Sequence, residues 1–164
     1  MVDKKPVKET KPKVVKEKKV IVKKEVLLEE YDASNLVMGR LGSYIAQRLQ
    51  KGIKVNVYNA ENTLITGDPK TIVSEFKERF EYRAKGNPRH GPKYPRLPHM
   101  ILKKSIQRML PTGIRGVTAL KNLKIYIGNE DNKKLLTIEV AKIKQGSKYL
   151  ELGELSKRLG ANKW

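Results

Sequence analysis

Between Tyr82 and Pro98 the chain spaces Arg83, Lys85, Arg89, His90, Lys93 and Arg96 along a stretch that also holds Tyr82 and Tyr94, four prolines and two glycines. Arginine offers phosphate a planar fork of donors and lysine a compact point charge, so this set suits gripping a polyanion more than making or breaking bonds. The prolines exclude a regular helix and most of a strand. A long surface loop is therefore predicted, stiffened so that less entropy is lost when it is ordered on a partner. Tyr82 and Tyr94 can stack on unpaired bases or pack beneath the loop.

The loop belongs to a larger block. From Tyr82 to Asn129 there is no Asp or Glu in 48 residues, against eleven Lys and Arg. After the loop, residues 99–110 place Leu102, Ile106, Met109 and Leu110 on one helical face and Lys103, Lys104, Gln107 and Arg108 on the other. That pattern predicts a short amphipathic helix whose cationic face adjoins the loop. Pro111 ends it, and Gly113-Ile114-Arg115-Gly116 reads as a turn in which Arg115 can still touch phosphate. Upstream, Arg40 projects from the start of another helix, where it can pair with a phosphate or be solvated.

Catalytic constellations are missing from the sequence. His90 and His99 are the two histidines, and neither has an acid near it in sequence, so a metal site or a histidine acid-base pair is not expected. Cysteine is absent, which removes disulfides, thiolate zinc and thiol nucleophiles. Neither phosphate-binding glycine fingerprint of nucleotide enzymes occurs. Gly39-Arg40-Leu41-Gly42 and Gly113-Ile114-Arg115-Gly116 match a bare G-x-x-G, which alone is a weak signal of a backbone clamp. No cofactor, small-molecule substrate or catalysis is expected.

Charge points the same way. The formal net charge is +19 over 164 residues, a self-repulsion usually offset by a polyanion, nucleic acid before an anionic membrane. Its distribution is uneven: +7 in residues 1–24, −2 in 25–81, +11 in 82–129 and +3 in 130–164. No apolar run approaches the roughly 18 residues of a membrane span, and the Lys-rich start lacks a secretory apolar core, so a cytoplasmic protein is expected. Residues 1–24 read as a disordered basic arm, since their composition cannot offset the entropy of ordering.

The elements that must position these cations follow in order. A strand is predicted over Val26–Tyr31, with Asp32-Ala33-Ser34-Asn35 as a turn and helix cap. A helix over 36–49 carries Val37, Leu41, Ile45 and Leu49 at helical spacing and a stripe of Gly39, Gly42, Ser43 and Ala46 that fits close packing against the sheet or an RNA strand. Ile53–Tyr58 alternates as a strand, and a short apolar piece spans Thr63–Thr66. Asp68-Pro69 signals a helix to about Phe80, with Ile72, Val73, Phe76 and Phe80 inward and Glu75 paired to Arg79 outside. The basic block closes with a helical segment over Val117–Leu123 and a strand over Lys124–Ile127; beyond it come a strand or extended piece over Leu135–Ile143 and a small helix over Leu152–Leu159 closed by Gly160. Alternating strand and helix is the beginning of an α/β sandwich. The domain is placed at 25–145 and a C-terminal extension at 146–164.

In this order the residues resemble a known family, the universal large-subunit ribosomal protein thirteen, in its archaeal and eukaryotic form. The resemblance covers about Leu27 to Gly160. It rests on Asp32-Ala33 with Met38-Gly39-Arg40-Leu41-Gly42-Ser43, on Val57-Tyr58-Asn59-Ala60-Glu61 with Ile65-Thr66-Gly67, and on Gly86-Asn87-Pro88-Arg89-His90-Gly91-Pro92 with Tyr94-Pro95-Arg96. Met109-Leu110-Pro111, Ala119-Leu120, Leu123-Lys124-Ile125-Tyr126 and the closing Tyr149-Leu150-Glu151-Leu152-Gly153-Glu154-Leu155 complete it. It implies a three-layer α/β/α domain around a four-stranded parallel sheet, without catalysis. It also implies a structural role on large-subunit ribosomal RNA beside neighbouring ribosomal proteins, in assembly and in the mature subunit. By position, RNA contacts would fall on Arg40 and Ser43, on the loop from Arg83 to Arg96, and on Lys103, Lys104 and Arg108. Where the family usually has Arg-Gly before Met-Leu-Pro, this chain has Gln107-Arg108, which moves the cation by one position. The competing expectations are a free-standing RNA-binding or RNA-modifying factor and a peripheral membrane protein; against the latter, the basic helix lacks a large aromatic and leucine face.

Overall fold

The computed structural model describes residues 27–82, 86–129, 135–143 and 146–161. Strand β1 (Leu28–Asp32) leads into helix α1 (Met38–Gln50), which returns to β2 (Lys54–Tyr58), parallel to β1 with Tyr31 opposite Val57. After β3 (Leu64–Thr66) come three helices, α2 (Pro69–Glu81), α3 (Pro98–Met109) and α4 (Ile114–Lys121). Strand β4 (Leu123–Ile125) then pairs in parallel on the other side of β2, giving the order β1-β2-β4. Strand β5 (Tyr149–Glu151) lies antiparallel to β3, and α5 (Leu152–Arg158) ends the described chain.

The described parallel sheet therefore has three strands rather than the four the resemblance implies. A fourth chain segment touches it at one point. Leu136 bridges in parallel to Tyr31 on the free edge of β1, donating its N–H to the Glu30 carbonyl at 2.9 Å and accepting from the Asp32 N–H at 3.1 Å. The expected strand over Leu135–Ile143 goes no further, because its inward residues Ile138 and Ala141 are three apart and form a 3₁₀ turn (Glu139–Ala141) instead of alternating.

Helix α1 buries Leu41, Ile45 and Leu49 completely or nearly so, as its spacing predicts, against Val55 and Val57 of the sheet and Leu102 and Ile106 of α3. Of its small-residue stripe, Gly42 packs against a helix, while Gly39 and Ser43 are exposed. Gly42 is buried so closely under α3 that a Cβ there would lie 3.0 Å from Met109 Sδ and 3.5 Å from Ile106 Cγ1, whereas Gly39 faces open space. The expected cap at Asp32 is also different. Its carboxylate accepts from the Ser34 N–H (3.0 Å), the Ser34 hydroxyl (2.8 Å) and Asn59 Nδ2 (2.8 Å), closing a turn that precedes α1 by several residues. Asp68 stands at the cap position of α2 but makes no capping bond; it pairs with Lys148 at 3.5 Å instead.

Two further segments depart from their predicted form. Helix α4 starts at Ile114, so that Gly116 lies inside it and not in a turn. A Cβ on Gly116 would overlap the Pro111 carbonyl oxygen, which is why glycine occupies that position. Met109 stays partly exposed at the end of α3, and Leu110 is buried just beyond the helix.

Candidate nucleic-acid interface

Helices α2 and α3 and the loop between them carry most of the predicted contact residues. Phe80, near the end of α2, is the anchor of the loop. The Tyr94 ring meets it edge-on, with centroids 6.4 Å apart and planes at 85°, and the Arg96 guanidinium lies 5.0 Å from its centroid. Of the two uses open to Tyr94, the described geometry shows packing beneath the loop. The loop's exit is held from the C-terminal segment: the Ser156 hydroxyl donates to the Arg96 carbonyl at 2.6 Å. At its crest Asn87 accepts the Arg89 N–H at 3.0 Å through its side chain and the His90 N–H at 3.1 Å through its carbonyl, forming a tight 3₁₀ turn (Pro88–His90) that leaves Arg89 and His90 exposed. Lys93 is exposed beside them. Arg83 and Lys85 lie outside the described residues.

Two hollows open between the loop and α3. One, of about 290 Å³, is walled by Met38, Phe76, Tyr94 and Met109 and rimmed by Arg79, Lys104 and Arg108. The other, of about 370 Å³, lies across the Tyr94-Pro95 ridge and is lined by Lys93, Lys103, Lys104 and Gln107 with Met100. The fold thus gathers Lys93, Tyr94, Lys103, Lys104 and Arg108 into one place, and no carboxylate lines either hollow among the described residues. Arg79 joins them although sequence reasoning assigned it only to the exposed pair with Glu75. That pair exists at 3.6 Å, yet the guanidinium also lies 4.7 Å from the Phe76 centroid and faces the hollow. Its position three residues after an inward Phe was the available signal.

The remaining residues are placed differently. Arg40 donates from Nη1 to the Lys142 carbonyl at 2.9 Å, so its head is partly engaged by the chain itself, and the Ser43 hydroxyl donates to the Arg40 carbonyl at 2.9 Å. Both are exposed at the start of α1, whose Met38 walls the apolar hollow. Arg115 is exposed on α4 and lines a separate cavity with Leu49 and Ile114, away from the loop and α3. His99 has a buried Nδ1 with no hydrogen-bond partner among the described residues; burial, helped by the Lys103 charge, holds its pKa below the usual histidine value, which favours the neutral ring.

The acidic groups of the sheet are occupied by structure. Glu30 accepts from Asn56 Nδ2 at 3.1 Å and from the Tyr58 hydroxyl at 3.0 Å, and Tyr58 stacks on Tyr126 with centroids 5.0 Å apart. Both Glu61 carboxylate oxygens accept the Gly128 N–H at 3.1 Å. Burial pushes the Asp32 carboxyl upward, but hydrogen bonds from Asn59 and Ser34 outweigh it and leave the pKa below the ordinary value. Among the described residues no cluster of His, Asp or Glu could hold a metal ion, and no helix is long and apolar enough to cross a membrane.

Comparison with known proteins gives one consistent result. Residues 28–132 match the family model described as ribosomal protein L13. The chain is 40% identical over 134 residues to the large ribosomal subunit protein uL13 of Methanocaldococcus jannaschii, covering 79% of this chain and 96% of that protein. It is 41% identical over 133 residues to the protein of the same name from Thermoplasma volcanium, with 79% and 96% covered. The corresponding protein of Methanosphaera stadtmanae is 37% identical over 135 residues, with 79% and 95% covered. With a family model matched over residues 28–132 and relatives of about 40% identity over most of their length, this chain belongs to the ribosomal protein L13 family.

Proposed function

We propose that the protein is a structural constituent of the large ribosomal subunit in the cytoplasm. It binds large-subunit ribosomal RNA through the loop before α3 and the cationic face of α3, next to other large-subunit proteins. The observation that carries this is the gathering of Lys93, Lys103, Lys104 and Arg108 around the Tyr94-Pro95 ridge, with no acid in the lining among the described residues, in a chain of this family. Arg89, His90 and Arg96 extend the same surface along the loop, and Arg83 and Lys85 are assigned to the same RNA contact by their place in the sequence. Arg40 and Ser43 form a second contact at the start of α1, and Arg115 a third on α4. The sheet is a scaffold for this surface: its carboxylates hold neighbouring strands, which fits a role without catalysis or a cofactor. The family's three-layer form with a fourth parallel strand is the architecture toward which the Leu136 bridge points.

Sedimentation of a cell extract tests the assignment. The protein should travel with large subunits and be released from them by high salt. Exclusive recovery in light, ribosome-free fractions would favour the free-standing RNA factor and overturn this reading.

A further inference from the structure

The two hollows share a wall and differ in the residues around it. Both surfaces are mostly apolar; the first has Met38, Phe76 and Met109 at its sides, while the second sets Lys93, Lys103, Lys104 and Gln107 around Tyr94, Pro95 and Met100. Tyr94, Pro95 and Lys104 line both, so the hollows are halves of one depression divided by a low ridge. A nucleotide has the same two halves: a flat ring system that prefers an apolar slot, and a phosphate that prefers lysines. The apolar half, at about 290 Å³, falls at the small end of ligand cavities and suits one ring system, not an extended ligand. Arg79 adds a specific feature, because a guanidinium already laid against Phe76 can present its other face to a base.

We propose that this divided depression seats one unpaired RNA nucleotide, its base in the hollow between Phe76, Tyr94 and Met109 and its phosphate among Lys93, Lys103 and Lys104. The inference rests on the RNA-binding reading and adds to it a single-base pocket. A side chain from a neighbouring protein is the competing occupant. Lysine is depleted from the centres of protein interfaces, and three lysines beside the apolar slot leave that occupant with charges it would have to desolvate or neutralise. An RNA chain supplies the neutralising phosphate at one nucleotide's distance from the base.

Ser105 lines the apolar half on the α3 side and is uncharged, so it can be used to fill the slot without altering the electrostatics. The full chain, Ser105→Trp and Ser105→Ala are titrated with a transcript of large-subunit ribosomal RNA over a range of salt, and melting of each protein is recorded. Loss of one stacked base should weaken Ser105→Trp roughly 5- to 100-fold with the salt slope unchanged, while Ser105→Ala binds as the parent does. Ultraviolet crosslinking of the unaltered complex should join an unpaired nucleotide to the peptide 98–109, and this decides the matter should Ser105→Trp melt early. Equal affinity of a folded Ser105→Trp, or crosslinks from that peptide to paired nucleotides alone, overturns the pocket while leaving RNA binding in place. Unimpaired RNA affinity with loss of a neighbouring protein from reconstituted subunits overturns it in favour of a protein occupant. Absence of salt-dependent binding by the unaltered chain removes the RNA reading itself.

Discussion

The buried Ser156 hydroxyl donates a 2.6 Å hydrogen bond to the carbonyl of Arg96, joining the C-terminal helix to the exit of the basic loop across 60 residues of sequence. Arg96 in turn lies over Phe80 of α2, so the loop is pinned from both sides. The bond takes no charge from the surface proposed to face RNA, and this separates position from electrostatics. Ser156→Ala should cost about 0.5–1.5 kcal/mol of stability and weaken RNA binding without changing its dependence on salt. Parallel denaturant and RNA titrations check this; unchanged affinity would mean that Phe80 alone fixes the loop.

Charge removal should behave in the opposite manner. Changing Arg89, Lys93 and Arg96 together to Gln should lower the slope of log affinity against log salt by about 0.7–0.9 for each phosphate that is no longer neutralised. Because Arg96 also covers Phe80, the single changes Arg89→Gln and Lys93→Gln, on exposed side chains, isolate the electrostatic part. A slope identical to that of the unaltered chain would identify the loop as solvated surface.

Two glycines on helices should respond to the same substitution with opposite signs. Gly116→Ala drives a methyl group into the Pro111 carbonyl, a backbone atom that cannot turn aside, and should destabilise by at least about 1–3 kcal/mol. Gly39→Ala meets nothing within 4 Å and should stabilise α1 by about 0.5–1 kcal/mol. Thermal melting of the two variants beside the parent tests the pair, and equal shifts would contradict the packing described for α4.

Elements with long, regular apolar spacing were legible in the sequence: the inward residues of α1, the alternation of β2 and the buried Leu102 and Ile106 of α3 all appear as their periods require. What escaped depends on partners distant in sequence or on competing local bonds. Strand β5 has three residues and exists because it pairs with β3, far upstream in the chain, which no local pattern announces. Gly113 and Gly116 read as a turn because glycine disfavours helix, yet the close approach to Pro111 requires Gly116 within α4. Asp32 read as a helix cap because its type and place suit one, but Ser34 and Asn59 claim its carboxylate first. The candidate site shows the same division. Its cations were visible as a run without acids, whereas the apolar half came from Met38, Phe76 and Met109 on three different helices, and Arg79 was hidden by its ion pair with Glu75.

Asp32 also sets an expectation for acid. Its folded-state pKa is below the ordinary aspartate value of 3.8 because Asn59 and Ser34 donate to the charged form more strongly than burial opposes it. The unfolded chain therefore takes up the proton first, so the stabilisation is complete above the ordinary value and is lost as pH falls through the lower, folded one. Asp32→Asn keeps an oxygen that can accept from Ser34 but has no charge to lose. Urea midpoints of both proteins between pH 6 and pH 2 should show the parent's advantage over Asp32→Asn shrinking below about pH 4. A difference that stays constant over the whole range would show that the turn at Asp32 draws nothing from its charge, and that its three hydrogen bonds would hold equally well to a neutral acceptor.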